Sequence, residues 1–253
     1  MIQLIPIYVL WLREMKKFFR MKSRIIGMLT MPFFMLVFLG LGFRRAEIPG
    51  LSGSMDYIQF LVPGMVGMTI LFSSSFTGVS ILMDRQFGFL KEIMVAPVSR
   101  LSIVIGRIIG GGFTSVMQGC VILLFSLFLG FQLFDIVIAP MAIIFMILIS
   151  ICFISLGLIC ASYMKDVHGF TMIMNLIVYP IFLLSGALFP ISNLPEFVRV
   201  FSYGSPLTYG VDGLRGLLSG HSDLPLIVDF FVLVLVAFAS VSVAAYAFKK
   251  SQI

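Results

Sequence analysis

Charged residues are scarce in this chain, and their scarcity excludes an ordinary water-soluble fold. Only 11% of the 253 residues are charged, whereas 60% are hydrophobic. A soluble domain of this length needs a largely polar or mixed surface, which this composition does not provide. The chain also has only three cysteines and two histidines, without the spacing of a disulfide framework or a metal site. We therefore predict no bound metal.

Two further absences argue against an enzyme. The sequence contains no Gly-x-x-x-x-Gly-Lys-Ser/Thr motif, so this chain is not expected to bind ATP phosphates. The serines within its apolar stretches have no base at a matching depth, as a hydrolase would require. No carboxylate is expected near the middle of a bilayer, where a proton-coupled carrier usually needs one. We predict a non-enzymatic chain without a cofactor of its own.

Long stretches without Lys, Arg, Asp or Glu are what the sequence has instead. Six such stretches, at 25–43, 57–83, 108–134, 136–164, 167–195 and 230–248, can each hold one helix of about 20 residues, which is the length needed to cross a bilayer. A closed β-barrel would show short alternating strands, and these stretches are continuously apolar. We predict an all-α integral membrane protein with six transmembrane helices, at 25–43, 57–83, 101–130, 136–162, 169–189 and 226–248.

The basic residues are distributed unevenly between the loops that join these spans. With the N-terminus in the cytoplasm, 13 of the 17 Lys and Arg residues fall on the cytoplasmic side and four on the other. This is the bias of the positive-inside rule. It predicts a multi-pass protein of the plasma membrane with both termini in the cytoplasm. It also accounts for the net charge of +6 without nucleic acid as a partner.

Residues 1–24 precede the first span and have the pattern of an amphipathic helix. Apolar side chains at helical spacing, including Trp11, occupy one arc, and basic side chains, including Lys17, occupy the other. We predict a helix lying in the cytoplasmic interface of the bilayer; a basic flank that only fixes orientation is the alternative. Glu14 falls within the apolar arc, so we expect it to pair with Lys17, Arg13 or a group on another segment.

The segment 84–100 joins spans 2 and 3 and is too short for a domain. Phe87 and Leu90 share one helical face, Pro97 ends the helix, and Ser99 can cap the next one. A short amphipathic helix with exposed aromatic side chains is typical of a docking element for a soluble partner. A helix that lies on lipid is the alternative interpretation.

Polar side chains interrupt two of the predicted spans. Ser73, Ser74 and Thr77 lie in span 2, and Asn175 and Tyr179 lie in span 5. Packing between helices is the simpler role for such residues in lipid. The same residues are also candidates for lining a translocation path, because polar groups within a membrane face a cavity or another helix.

The segment 190–218 follows span 5 and is interrupted by Pro190, Pro195 and Pro206. It is too apolar for an ordinary loop and too broken to cross a bilayer. We predict two short re-entrant or interfacial helices on the external side, since irregular backbone at membrane depth requires protein or a water-filled cavity around it.

The run SGALFPISNLPEFVRVFSYGSPLTYGVDGLR, at 185–215, resembles the C-terminal motif of the ABC type 2 exporter permeases. The general form of that motif is SG-x-FFP, then LP, then NPLTY-x-VD-x-hR, and Ser205 stands here where the family usually has Asn. The motif residues that we expect to form the external segment are Ser185, Gly186, Pro190, Pro195, Pro206, Thr208, Tyr209, Asp212 and Arg215.

The segment 84–100 is similar to the cytoplasmic coupling helix of the same family, often written RE-x-GTLE followed by P-x-SR. Phe89 stands where the family usually has Thr. The residues that the resemblance implies as contacts of the ATPase are Asp84, Arg85, Phe87, Gly88, Phe89, Leu90, Lys91, Glu92, Pro97 and Arg100. The N-terminal helix with Trp11, Glu14 and Lys17 would also contact it.

The resemblance covers nearly the whole chain and implies one ABC type 2 transmembrane domain at 1–253. Two copies would pair, and each would bind a separate cognate ATPase that holds ATP and magnesium. The closing motif looks closest to the drug-resistance and nodulation-factor branch, which implies export of a hydrophobic, drug-like or lipid-linked substrate. An ion-coupled secondary transporter and a non-catalytic membrane scaffold are the alternatives, and a neighbouring gene for a P-loop ATPase would favour the exporter.

Overall fold

The computed structural model describes residues 4–43, 56–87 and 99–250, and within them it leaves the side chains of Arg24 and Arg100 undescribed. The described residues form helices and connecting turns, without a strand. The α-helices are α1 (Leu4–Arg20), α2 (Lys22–Gly42), α3 (Tyr57–Ser75), α4 (Gly78–Gln86), α5 (Arg100–Phe128), α6 (Ala142–Tyr163), α7 (Val167–Leu184), α8 (Glu196–Tyr203), α9 (Pro206–Ser219) and α10 (Leu226–Lys250). Short 3₁₀ turns lie at Ala139–Met141 and Ile191–Asn193.

Six segments among the described residues are long and apolar enough to cross a membrane, which confirms the predicted number of spans. They are Ile25–Gly42, Tyr57–Gln86, Leu101–Phe128, Ala139–Tyr163, Val167–Leu184 and Leu226–Lys250. The fifth span is shorter than the predicted 169–189, because α7 ends at Leu184. Gly186 follows with a φ of +74°, a left-handed conformation that turns the chain away from the helix axis.

The second span is broken into α3 and α4, which the sequence did not predict. Gly78 begins α4, and a Cβ at Gly78 would lie 2.6 Å from the carbonyl oxygen of Gly157 in α6. A Cβ at Gly157 would in turn lie 2.3 Å from the carbonyl oxygen of Ser75. The α3–α4 junction and α6 therefore touch backbone to backbone, which only residues without a side chain permit.

Helix α3 is the centre of the bundle. It packs against α2, α5, α6 and α9, and 83% of its membrane segment is buried, compared with 17% for α2 and for α10. The residue Gly64 permits an equally close contact with the turn after α7, since a Cβ there would lie 2.2 Å from the carbonyl oxygen of Ala187. The peripheral helices α2, α7 and α10 thus present most of their apolar surface outward.

Candidate functional site

Helix α1 lies along α5 and contacts protein with its apolar arc. Ile7, Leu10 and Met15 are buried, and the ring of Trp11 meets Phe113 of α5 edge to face, with the centroids 6.0 Å apart. The groove that receives α1 is made by small residues of α5, because a Cβ on Gly106 would approach Leu10 to 2.9 Å. The arc that we expected to face lipid therefore packs against α5.

A cluster of four charges, three of them buried and the fourth, Arg13, partly exposed, joins α1, α4 and α5. Arg107 of α5 donates from Nη1 to Glu14 Oε1 at 2.6 Å and to Ser80 Oγ at 3.1 Å. Its Nη2 donates to Asp84 Oδ2, and Arg13 donates to Asp84 Oδ1. We call Arg13, Glu14, Asp84 and Arg107 the ion-pair cluster. Its two guanidinium groups and two carboxylates balance, which is what allows the charges to be buried.

Burial makes this cluster costly to disrupt. Arg107 is 1% exposed, Asp84 5% and Glu14 8%. Removing one partner from a buried ion pair leaves an uncompensated charge and typically costs about 3–5 kcal/mol. Glu14 thus pairs with a distant segment, one of the alternatives that the sequence left open.

The ion-pair cluster flanks the predicted coupling segment on both sides. Asp84 lies in the last turn of α4, and Arg107 lies two turns into α5. Arg85 reaches the turn between α6 and α7, where it donates to the carbonyl oxygen of Met164 at 3.4 Å, and Phe87 is 83% exposed. Ser99 caps α5 by accepting from the N–H of Ser102.

The predicted contacts that lie outside the described residues are Gly88, Phe89, Leu90, Lys91, Glu92 and Pro97; the Arg100 side chain is likewise undescribed.

A small polar cavity lies next to the ion-pair cluster, between α1, α2, α3, α4 and α5. Its volume is about 30 Å³, enough for about two water molecules. Gln118 lines it, and the buried Oε1 of that amide has no hydrogen-bond partner among the described residues. The other residues that line it include Glu14, Lys17, Ser73, Thr77, Ser80, Gly111 and Thr114. An apolar rim of Phe18, Met21, Ile25 and Met28 completes the lining.

The predicted path residues are only partly brought together. Ser73 and Thr77 line the polar cavity, whereas Ser74 is buried and does not. Asn175 and Tyr179 lie on α7, and the ring of Tyr179 contacts Phe72, with the centroids 5.1 Å apart. The structure therefore places α3 and α7 side by side without joining Asn175 to the cavity.

The motif at 185–215 forms a second cluster, centred on Arg215. This guanidinium donates to the carbonyl oxygen of Gly186 at 2.9 Å and lies 3.8 Å from the ring centroid of Phe60. Burial lowers the pKa of Arg215 to about 10, against the opposing effect of Asp212. Arg215 thus links α9 to the turn after α7 and to α3.

Asp212 fixes the connection that leads into α10. Its Oδ1 accepts from the N–H of Asp223 at 2.9 Å, and its Oδ2 accepts from the N–H of Leu224 at 2.8 Å. Burial raises the pKa of Asp212, while these two hydrogen bonds and Arg215 act in the opposite direction. The side chain therefore holds the loop in place.

The remaining motif residues shape α8 and α9. Ser205 caps α9 by accepting from the N–H of Leu207 at 3.3 Å, and Pro206 takes the first helical position. Thr208 and Tyr209 donate to the carbonyl oxygens of Ser202 and Tyr203.

Pro190 precedes the 3₁₀ turn, Pro195 precedes α8, and Ser185 donates to the carbonyl oxygen of Phe182. This geometry gives the motif a structural role.

Sequence reasoning missed Arg107 and Asp229. Arg107 falls within the predicted span 101–130 and was given no role of its own, although the structure buries it in α5. Asp229 falls within the predicted span 226–248 and was given no role, yet it is fully buried in the first turn of α10. The useful signal in both cases is a charged residue inside a helix that is otherwise apolar.

The fold and these clusters define a polytopic helical membrane protein whose connections are fixed by buried charges. The family model of the ABC-2 type transporters matches residues 6–218. The chain therefore belongs to the ABC-2 type transporter family, whose permeases form the membrane component of an ABC transporter.

Relatives with permease names cover most of this chain. The inner membrane transport permease YadH of Escherichia coli (strain K12) is 27% identical over 230 residues, which are 89% of this chain and 87% of that protein. The putative transport permease ycf38 of Cyanophora paradoxa is 30% identical over 215 residues, or 82% and 73% of the two chains. Nodulation protein J of Rhizobium leguminosarum bv. trifolii is 27% identical over 201 residues, or 79% and 75%.

Proposed function

We propose that this chain is the permease subunit of an ATP-driven exporter. Two copies pair and bind two copies of a separate ATPase, which holds ATP and magnesium. Both termini lie in the cytoplasm, α8 and α9 form the external re-entrant pair, and the cargo leaves the cytoplasm or the inner leaflet. The cargo class is hydrophobic, drug-like or lipid-linked, and the similarity to a protein named nodulation protein J supports this branch.

The observation that carries the proposal is the ion-pair cluster. It ties α1 to both helices that flank the segment 88–98, because Asp84 belongs to α4 and Arg107 to α5. A displacement imposed on that segment by a closing ATPase dimer would therefore be passed to α1 and to the two spans together. Ser73 and Thr77 lie beside the cluster, where such a movement would change the polar cavity.

The first test is co-purification with the candidate ATPase. The expected result is a stable 2:2 complex whose ATP hydrolysis no longer drives transport after Arg85→Ala or Glu92→Ala, with membrane insertion unchanged. Glu196→Ala is the matched control, because Glu196 is an exposed carboxylate on α8. A chain that purifies without an ATPase, or unchanged transport in both coupling variants, would contradict the proposal.

An ion-coupled carrier remains the second candidate because Asp212 and Asp229 are buried carboxyls. Asp229 lies in the first turn of α10, and Asp212 accepts hydrogen bonds from the loop just before that helix. Neither carboxyl therefore lies in the middle of a span. Transport that continues without ATP and stops when the proton gradient is dissipated would favour the carrier. Membership of the ABC-2 family supports the exporter.

A further inference from the structure

The polar cavity beside the ion-pair cluster has one wall formed by α5. Gly111, Thr114 and Gln118 line this wall, and their spacing of three and four residues puts them on one face of the helix. Gln118 is 3% exposed, and its Oε1 has no hydrogen-bond partner among the described residues. A buried amide oxygen without a donor is costly. The wall therefore favours a bound molecule that donates a hydrogen bond.

Three hydroxyl groups around the cavity use their hydrogens for backbone carbonyl oxygens. Thr114 donates to Gly111 at 2.8 Å. Thr77 donates to Ser73 at 3.2 Å, and Ser80 donates to Thr77 at 3.0 Å. A hydroxyl has one hydrogen to donate and two lone pairs that accept. These three oxygens thus keep lone pairs for a ligand, which again has to be a donor.

The charged groups of the cavity favour a neutral ligand. Glu14 and Lys17 both line it, and the carboxylate of Glu14 already accepts from Arg107. A cationic ligand would lie close to the ammonium of Lys17, and an anionic ligand would lie close to the carboxylate of Glu14. The volume of about 30 Å³ accepts a group as large as about two water molecules. A hydroxymethyl group has this size, is neutral and carries a donor hydrogen.

The apolar part of the lining reaches the exterior of the protein. Phe18 and Met21 come from the end of α1 and its connection to α2. Ile25 and Met28 come from the beginning of α2, and Ile25 is the first residue of a membrane-crossing segment. Met21 is 39% exposed, so the cavity borders on the exterior at this rim. An apolar chain attached to a bound hydroxymethyl group would therefore pass along these side chains into the lipid.

We propose that the polar cavity binds the hydroxyl end of a neutral amphiphile, such as a fatty alcohol or a monoacylglycerol. The hydroxyl donates to Oε1 of Gln118, and the chain lies along the apolar rim. Water offers the same donor hydrogen without the chain, so the chain distinguishes the two ligands. The role of the amphiphile as cargo rests on the proposed export function, whereas its binding does not.

Photolabelling of the purified chain in phosphatidylcholine nanodiscs tests the site. The probe is a fatty alcohol with a photoreactive diazirine on its chain, and the matched control probe is the methyl ether of the same alcohol, which has no donor hydrogen. The alcohol should label the peptide that contains residues 18–28, and monoacylglycerol should compete with it. Equal labelling by the methyl ether, or no labelling of this peptide, overturns the proposal without any variant.

The substitution Gln118→Met tests the acceptor. It removes the oxygen that receives the hydrogen bond and should weaken binding of the alcohol about threefold to tenfold. Gln132→Met is the matched control, because Gln132 is exposed and does not line the cavity, and it should leave binding unchanged. Unchanged labelling in a folded Gln118→Met chain contradicts the proposal.

Thermal unfolding in the presence of the two probes distinguishes the amphiphile from water. A ligand that binds the folded chain raises its unfolding temperature, so the alcohol should raise it more than the methyl ether does. A cavity that holds only water would give equal temperatures with both probes, and this result overturns the proposal. These measurements use the chain without an ATPase. Failure of binding would leave the exporter assignment standing, and failure to co-purify with an ATPase would leave the binding site standing.

Discussion

The guanidinium of Arg107 donates to the carboxylate of Glu14 at 2.6 Å, although 93 positions separate these residues in the sequence. The contact joins the first described helix to the helix that follows the predicted coupling segment. Since Asp84 of α4 shares the same guanidinium, one side chain holds three helices.

Replacing Arg107 with Met should destabilise the chain by about 3–5 kcal/mol, because Glu14 and Asp84 would keep buried charges without this partner. Unfolding in detergent, followed by circular dichroism against denaturant, measures the change. Arg20→Met is the matched control, since Arg20 is exposed at the end of α1, and it should change the unfolding free energy by less than about 0.5 kcal/mol.

The pairing can be separated from the loss of packing with a second substitution. Glu14→Gln combined with Arg107→Met should cost less than the sum of the two single changes, because the neutral amide no longer needs the guanidinium. Strictly additive costs would show that the two side chains do not interact energetically, against the structure.

The substitution Gly64→Ala should destabilise the chain by about 1–3 kcal/mol or more, as overpacking does in a close contact. The new methyl group would overlap the backbone at Ala187, 2.2 Å away, and backbone cannot move as a flexible side chain can. Gly27→Ala is the control, because a Cβ on Gly27 meets nothing within 4 Å. The thermal unfolding temperatures of the two variants should therefore differ, and equal values would contradict the close contact.

Arg215 and Phe60 should show a coupling energy of about 0.5–2 kcal/mol, the range of cation–π contacts. The cycle consists of Arg215→Met, Phe60→Leu and the double variant, measured by unfolding free energy. Arg215→Met should also cost more than Phe60→Leu, because it removes the hydrogen bond to Gly186 as well. A coupling energy of zero would mean that the guanidinium of Arg215 gains no stabilising interaction from the ring of Phe60.

Ser205 tests whether the departure from the family motif matters for α9. Ser and Asn are similarly good N-cap residues, so Ser205→Asn should leave the unfolding free energy nearly unchanged. Ser205→Ala removes the oxygen that accepts from Leu207 and should cost about 1 kcal/mol. Comparable losses in both variants would indicate that shape, not capping, decides this position.

The spans were predictable because apolar length is a property of each segment alone. The predicted 25–43 and 226–248 correspond to helices Lys22–Gly42 and Leu226–Lys250. The break at Gly78 was not predictable in this way, since it depends on contact with Gly157 from another helix. Local pattern thus locates membrane helices and leaves their irregularities to the packing between them.

Individual residues of the candidate site were predicted from the sequence, but the ion pairs between them were not. Asp84 and Glu14 were identified as individual residues, but their shared partner Arg107 was not. Pairing between distant segments leaves no periodicity in the sequence, so no local signal reports it. The same reason hid the burial of Asp229 in the first turn of α10, because burial depends on the helices that pack around it.

The ion-pair cluster also has a consequence for biogenesis. Synthesis proceeds from the N-terminus, so Arg13 and Asp84 emerge before Arg107 and their ion pair is available first. Glu14 gains its bond to Arg107 only once α5 has been made. The four charges of the cluster are thus balanced only after the third span has been made. From that point α1, α4 and α5 can pack together.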